Sequence, residues 1–223
     1  MKKTISVIVA GATVFLALLG ADHYAKAQAN KPFEPTENKH YVQVTKSKDF
    51  KDALKTLGVQ NGESFEILSY SCPACKNMEP LFDHITSSKQ LVMHKFHLGG
   101  VNDAAGKSEY IIKKASPENL NDFREKMFAK YLSDSTVDDK NSFAMSIPLS
   151  YGITSEQIID MDNKASEYTK ALNTLADAVD LKSTPSLYIG GEYYIMQQNH
   201  KTGEQFKQTI SHVVGLLDSK IAK

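Results

Sequence analysis

The chain has 223 residues, and its 26 lysines and arginines are balanced by 26 aspartates and glutamates. A neutral balance gives no electrostatic reason to expect a nucleic-acid partner. The length suits one large domain, or a small domain carrying an insertion, and no internal repeat or low-complexity tract is visible.

Residues 1–29 read as a secretory signal peptide. Lys2 and Lys3 precede an apolar run from Ile5 to Leu19, and small residues at Ala25, Ala27 and Ala29 follow it, which predicts cleavage after Ala27 or Ala29. The run is shorter than the roughly 20 residues a membrane-spanning helix needs, and no cysteine follows it to take a lipid anchor. Removing the segment takes away Lys2, Lys3, Lys26 and Asp22 and leaves a mature chain with a net charge of −2. Export implies an oxidising compartment, where disulfides persist.

Residues 30–48 are polar, contain Pro32 and Pro35, and read as an N-terminal tether with a short strand at Tyr41–Val44. Phe65 to Tyr70 predicts a buried strand, followed by Cys72-Pro73-Ala74-Cys75 and a helical pattern at Met78, Leu81, Phe82 and Ile85. Pro73 suits a first helical turn, and Pro80 falls inside the same helix. Leu91 to Leu98 predicts the next strand. From 102 to 180 the apolar spacing is helical throughout, which predicts an inserted helical domain. Strands return between Ser183 and Ile195, with Gly190-Gly191 as a hairpin turn, and an amphipathic helix with Phe206, Ile210, Val213, Val214 and Leu217 on its inner face ends the chain. The fold class expected is α/β, with residues 49–101 and 181–223 forming one domain around the insertion.

All sulfur chemistry available to cysteine is confined to Cys72 and Cys75. A disulfide across so small a loop constrains the unfolded chain little, so a structural staple is a poor reading, and redox exchange or metal binding remain. Exchange requires an accessible thiolate, and a helix start supplies unpaired N–H groups and the positive end of the macrodipole to Cys72. Cys75, one turn further in, is expected to be buried and to act as the resolving thiol. Lys76 is the nearest cation and reads as solvated.

These residues resemble the exported thiol-disulfide oxidoreductases of the DsbA-like branch of the thioredoxin superfamily. Cys72-Pro73-Ala74-Cys75 is similar to that family's active site, Pro80 to its helix-interior proline, and Thr184-Pro185 before a strand to its cis-proline segment. The order of elements agrees over nearly the whole mature chain. The resemblance implies a thioredoxin fold with an inserted helical domain, Cys72 as nucleophile, Cys75 as resolving cysteine, and a substrate-binding surface at Pro73, Ala74, Thr184 and cis Pro185. It also implies a buried proton relay of Glu66 and Lys95, paired beneath the active site because either would be costly to bury alone; the alternative is that either side chain, Lys95 above all, reaches solvent at a strand edge. It implies no cofactor beyond the redox-active disulfide. Its partners would be reduced exported proteins and a DsbB-like, quinone-linked membrane oxidase that recycles the enzyme, with the protein in the periplasm. Nothing corresponds to the dimerisation domain of exported isomerases, which favours a monomer.

Two positions depart from the family's strong oxidants, which often carry histidine at the place of Ala74 and valine at that of Thr184, so a milder oxidant is expected. A disulfide reductase or isomerase of the same fold is the alternative within the class. A metal-binding protein is the alternative outside it. His94 and His97 are the nearest nitrogen donors, but three residues apart on a strand they face opposite sides. His84 is too far along the helix from Cys72, and His40, His200 and His212 have no ligand spacing. Tyr70, Tyr188, Tyr193 and Tyr194 are candidates for an apolar substrate surface, or else core.

Overall fold

A computed structural model describes residues 32–100 and 103–221. The expected signal peptide lies outside the described residues. Pro35–Lys223 forms one compact unit. Its described elements run β1 (Tyr41–Gln43), α1 (Lys48–Leu57), β2 (Ser64–Leu68), α2 (Pro73–Lys89), β3 (Met93–His97), α3 (Ala104–Ala115), α4 (Leu120–Tyr131), α5 (Val137–Ser150), α6 (Ser155–Ala178), β4 (Ser186–Ile189), β5 (Tyr193–Ile195) and α7 (Gly203–Ile221).

The strands form one mixed sheet in the order β1-β5-β4-β2-β3. β2 and β3 are parallel, with Glu66 opposite Lys95, and β4 joins β2 antiparallel, with Leu187 opposite Glu66. Every residue of β2 is buried, as a central strand covered on both faces should be. On one face Phe65 and Phe96 pack with Phe50 of α1 and with Leu172 and Leu175 of α6. On the other, Leu187, Ile189 and Ile195 pack with Phe82 and Ile85 of α2 and with Phe206, Ile210 and Val213 of α7. The β4–β5 hairpin turns on Gly190 and Gly191, both at positive φ (62° and 58°), the left-handed backbone that glycine adopts without steric cost.

Helix α1 was not among the expected elements, although its signals are present. Ser47 accepts the Phe50 N–H as N-cap, Phe50, Ala53 and Leu57 form the buried stripe, and Gly58 ends the helix at φ 77°. The segment read as a tether thus carries both β1, paired to β5 with Tyr41 buried, and this cap. Helices α3 to α5 close a further core of Phe123, Met127, Phe128, Ala144 and Ile147 around Tyr70 and Cys75. Helix α6 is shared: it packs on α3 and also on α1, so the region 102–180 is continuous with the sheet core through Leu172 and Leu175.

Candidate active site

β2 leads to Tyr70, and the chain then turns, with the Cys72 N–H donating to the Ser69 carbonyl at 3.0 Å. Cys72 is the N-cap of α2 (φ −101°, ψ 107°), and Pro73 occupies its first turn. The Cys72 side chain performs the capping: Sγ accepts the Cys75 backbone N–H at 3.1 Å. The same sulfur donates to the Thr184 carbonyl at 3.4 Å, and the peptide bond that follows Thr184, to Pro185, is cis. Two segments 112 residues apart in the chain therefore meet at one sulfur. The Pro185 carbonyl in turn accepts from the Gln197 amide at 3.1 Å.

The two thiols are free and differ sharply in environment. Cys72 is half-buried with Pro73 and Ala74 exposed beside it, whereas Cys75 has no exposed surface. Burial, and then the hydrogen bond with Cys72, push the Cys75 thiol up to about 12. An incoming sulfur reaches Cys72 alone.

In β2, the strand that leads to the cysteine loop, Glu66 is fully buried and neither carboxyl oxygen has a hydrogen-bond partner among the described residues. Desolvation raises its pKa to about 8, against a smaller opposing effect of Lys95. The expected Glu66–Lys95 pair is not formed. Lys95 stands opposite Glu66 in register, but its ammonium turns to Asp83 Oδ1 at 2.7 Å and Glu79 Oε1 at 3.4 Å, both on α2. The physical reason is solvation: Asp83 is 63% exposed and Glu79 is nearer the surface than Glu66, so the ammonium gains two carboxylates without burying a full charge pair in the sheet. Glu66 is left as a neutral acid at pH 7.

This has a measurable consequence. Because the folded-state pKa of Glu66 (about 8) lies above its ordinary value of 4.5, the native state holds an extra proton between those limits, and stability falls as pH rises through that window. At about 1.4 kcal/mol per pH unit the loss amounts to several kcal/mol. Glu66→Gln is expected to remove that part of the decline between pH 5 and pH 9 in urea titrations. A variant that declines as steeply as the natural protein contradicts the assignment.

The tyrosines named as a candidate substrate surface are core instead. Tyr70, Tyr188 and Tyr193 are buried, and Tyr194 packs against Tyr188 with ring centroids 5.3 Å apart. Lys76 is not simply solvated either, since its ammonium lies over the Phe128 ring at 5.3 Å. Among the described residues no three His, Cys, Asp or Glu side chains converge to hold a metal ion.

Sequence patterning did not reveal two buried networks around Tyr70. The Tyr70 hydroxyl donates to Glu109 at 2.8 Å, and Glu109 accepts from Arg124 at 2.7 and 3.2 Å, while Arg124 also donates to the Lys95 carbonyl at 3.0 Å. Burial, reinforced by Glu109, holds the Tyr70 phenol far above its ordinary pKa. On its backbone side, the Tyr70 N–H donates to His97 Nδ1 at 3.1 Å. One sequence signal was available for the first network: Arg124 is the only arginine in the chain.

No protein-family model matches the chain, and no curated protein matches it in sequence. Solved structures do match in fold. The oxidoreductase NmDsbA1 from N. meningitidis superposes with a TM-score of 0.60 at 13% identity, covering 84% of this chain and 96% of that one. DsbA from Pseudomonas aeruginosa gives 0.59 at 16%, over 85% and 97% of the two chains. The DsbA disulfide interchange protein from Klebsiella pneumoniae gives 0.58 at 16%, over 84% and 98%. The chain therefore has the thioredoxin fold with a helical insertion that DsbA proteins share.

Proposed function

We propose that this protein is an exported thiol-disulfide oxidoreductase that introduces disulfide bonds into other exported proteins through Cys72 and Cys75. The observation that carries the reading is the pose of Cys72: a reachable sulfur at a helix N-cap, between the Cys75 N–H and the Thr184 carbonyl, directly above a sealed second thiol. In the oxidised enzyme, a substrate thiolate attacks Cys72 Sγ, the Cys72–Cys75 bond breaks, and Cys75 leaves as a thiolate that takes up a proton. A second substrate thiolate then attacks the substrate sulfur of the mixed disulfide, and Cys72 leaves. The substrate dithiol has lost two electrons and the enzyme disulfide has gained them. The departing Cys72 sulfur remains hydrogen-bonded to the Cys75 N–H, and the charge that develops there is favoured by the helix start.

Glu66 supplies the proton that the buried Cys75 needs. It is raised to about 8 while the thiol is raised to about 12, so the two groups differ in the sense required for transfer towards sulfur. Lys95, held by Glu79 and Asp83, acts on Glu66 as a nearby charge, not as a hydrogen-bonded partner. Pro73, Ala74 and Thr184, which keep exposed surface, border Cys72 and form the surface on which the substrate chain lies, while the cis Pro185 that follows Thr184 is itself buried. The resemblance to DsbA proteins extends the reading to a periplasmic location after loss of the signal peptide, and to recycling by a DsbB-like, quinone-linked membrane partner. No helix among the described residues is long and apolar enough to cross a membrane.

Ala74 offers no side-chain donor or charge to the neighbouring sulfur, which makes the disulfide a milder oxidant than those of the family's strongest members. Equilibrating the protein with glutathione tests both statements. Complete exchange is expected, with an equilibrium constant on the reducing side of those members. A pair inert to glutathione overturns the exchange reading, and a potential matching the strongest oxidants overturns the milder one. A mostly dithiol state of Cys72 and Cys75 in the native compartment would favour a reductase or isomerase over an oxidase.

A further inference from the structure

We infer that His97, oriented by Asp103, is a positioning residue for the cysteine loop: its bare Nδ1 fixes the Tyr70 backbone, and through it the place of the Cys72 sulfur. The inference rests on the exchange reading above. Ser69, Tyr70, Ser71 and Cys72 make a tight turn closed by the Cys72 N–H to the Ser69 carbonyl. Tyr70 is fully buried, so its own N–H has no access to water and needs an acceptor. His97 Nδ1 provides it at 3.1 Å, and the two rings stack with centroids 4.2 Å apart.

Accepting at Nδ1 requires that the neutral imidazole carry its proton on Nε2. Nε2 makes no well-directed hydrogen bond, but the nearest charge to it is Asp103 Oδ2 at 3.1 Å, and a carboxylate beside Nε2 favours that tautomer. Asp103 is itself fixed, because its two oxygens cap α3 by accepting the Ala105 and Gly106 N–H groups at 3.3 and 2.6 Å. Gly99 makes room for it: a Cβ at Gly99 would lie 2.3 Å from Asp103 Cγ. The turn that ends in Cys72 is thus tied, through one imidazole, to the first helix of the insertion.

The link to chemistry is the short reach of the capping contact. Cys72 Sγ stabilises the helix start, and is stabilised by it, only while it stays near the Cys75 N–H, and this contact is a charge-assisted one when the sulfur is ionised. Releasing the Tyr70 N–H frees the turn to move the sulfur away. Leaving the acceptor in place with a different side chain should not.

Asparagine places its amide oxygen close to where histidine places Nδ1, whereas phenylalanine keeps the ring and leucine the bulk without any acceptor. We expect His97→Phe and His97→Leu to shift the glutathione equilibrium towards the disulfide form by about tenfold, which is about 30 mV for this two-electron couple, with native circular dichroism. His97→Asn is expected to recover most of that shift. Phe and Leu variants at the natural value overturn the inference, and so does an Asn variant as shifted as Phe, because the role would then be packing. In the unaltered protein, ¹⁵N NMR of the imidazole is expected to show bare Nδ1 and protonated Nε2. The opposite tautomer overturns the inference whether or not any variant folds. Failure of the natural protein to exchange with glutathione would instead overturn the function, leaving the tautomer to decide this point.

Discussion

Cys72→Ala and Cys75→Ala are each expected to reduce oxidation of a reduced model protein to the uncatalysed background, and Cys75→Ala alone is expected, when glutathione disulfide is supplied, to hold a mixed disulfide at Cys72 with release of one glutathione thiol. The variants differ because the two sulfurs do. Cys75 has no exposed surface and burial pushes its thiol up to about 12, so near pH 7 it stays a thiol. It neither meets a substrate nor attacks one. Cys72 is half-buried beside exposed Pro73 and Ala74, and without it no disulfide can be delivered. Stopped assays with a reduced, unfolded substrate and a thiol-trapping gel separate the outcomes. Substantial oxidation by the Cys72→Ala protein would remove exchange through this pair as the mechanism.

The largest effect on stability is expected at Arg124. Its guanidinium bonds to Glu109 at 2.7 and 3.2 Å and to the Lys95 carbonyl at 3.0 Å, in a place where the two side chains are 11% and 2% exposed. Arg124→Ala leaves the buried Glu109 with the Tyr70 hydroxyl as its remaining hydrogen-bond donor among the described residues, and breaking a buried pair from one side costs about 3–5 kcal/mol. For a chain of this size the melting temperature should fall by roughly 10 °C. Replacing both charges at once, as Arg124→Met with Glu109→Leu, should cost much less than the single change, because no orphaned charge remains. Urea unfolding of the three proteins measures both quantities. A single variant within about 1 kcal/mol of the natural protein, or a double variant worse than the single, contradicts the account.

The Tyr70 contacts explain why this arginine is worth its desolvation. Arg124 and Glu109 belong to α4 and α3, Tyr70 follows β2, and the Lys95 carbonyl belongs to β3. One ion pair therefore joins the insertion to both parallel strands that flank the cysteine loop. With His97 and Asp103 on the backbone side of Tyr70, the residue two before Cys72 is held at its N–H and at its hydroxyl.

What could be read along the chain was whatever a short stretch decides by itself. Strand, Cys72-Pro73-Ala74-Cys75 and helix follow from local spacing, because a proline in a first turn and a cysteine at the N-cap need only their immediate neighbours. The cis bond at Pro185 was carried by resemblance, and helix α1 was missed although Ser47, Phe50, Ala53, Leu57 and Gly58 spell out its cap, its stripe and its end. The partners of charged residues were another matter. Register places Lys95 opposite Glu66, yet the ammonium goes to Glu79 and Asp83 because solvation depends on depth, and depth is a property of the packed layers. Glu109, Arg124 and Asp103 looked like ordinary polar positions, and His97 was weighed only as a metal ligand, for the same reason: the cost of a buried charge is set by what surrounds it in space. The sequence by itself therefore determined where sulfur chemistry can occur and the α/β order of elements around it. Only the tertiary structure decided which acid is buried without a partner and which side chains hold the cysteine loop in place, since burial and long-range pairing exist only once the sheet and the inserted helices have closed over Tyr70.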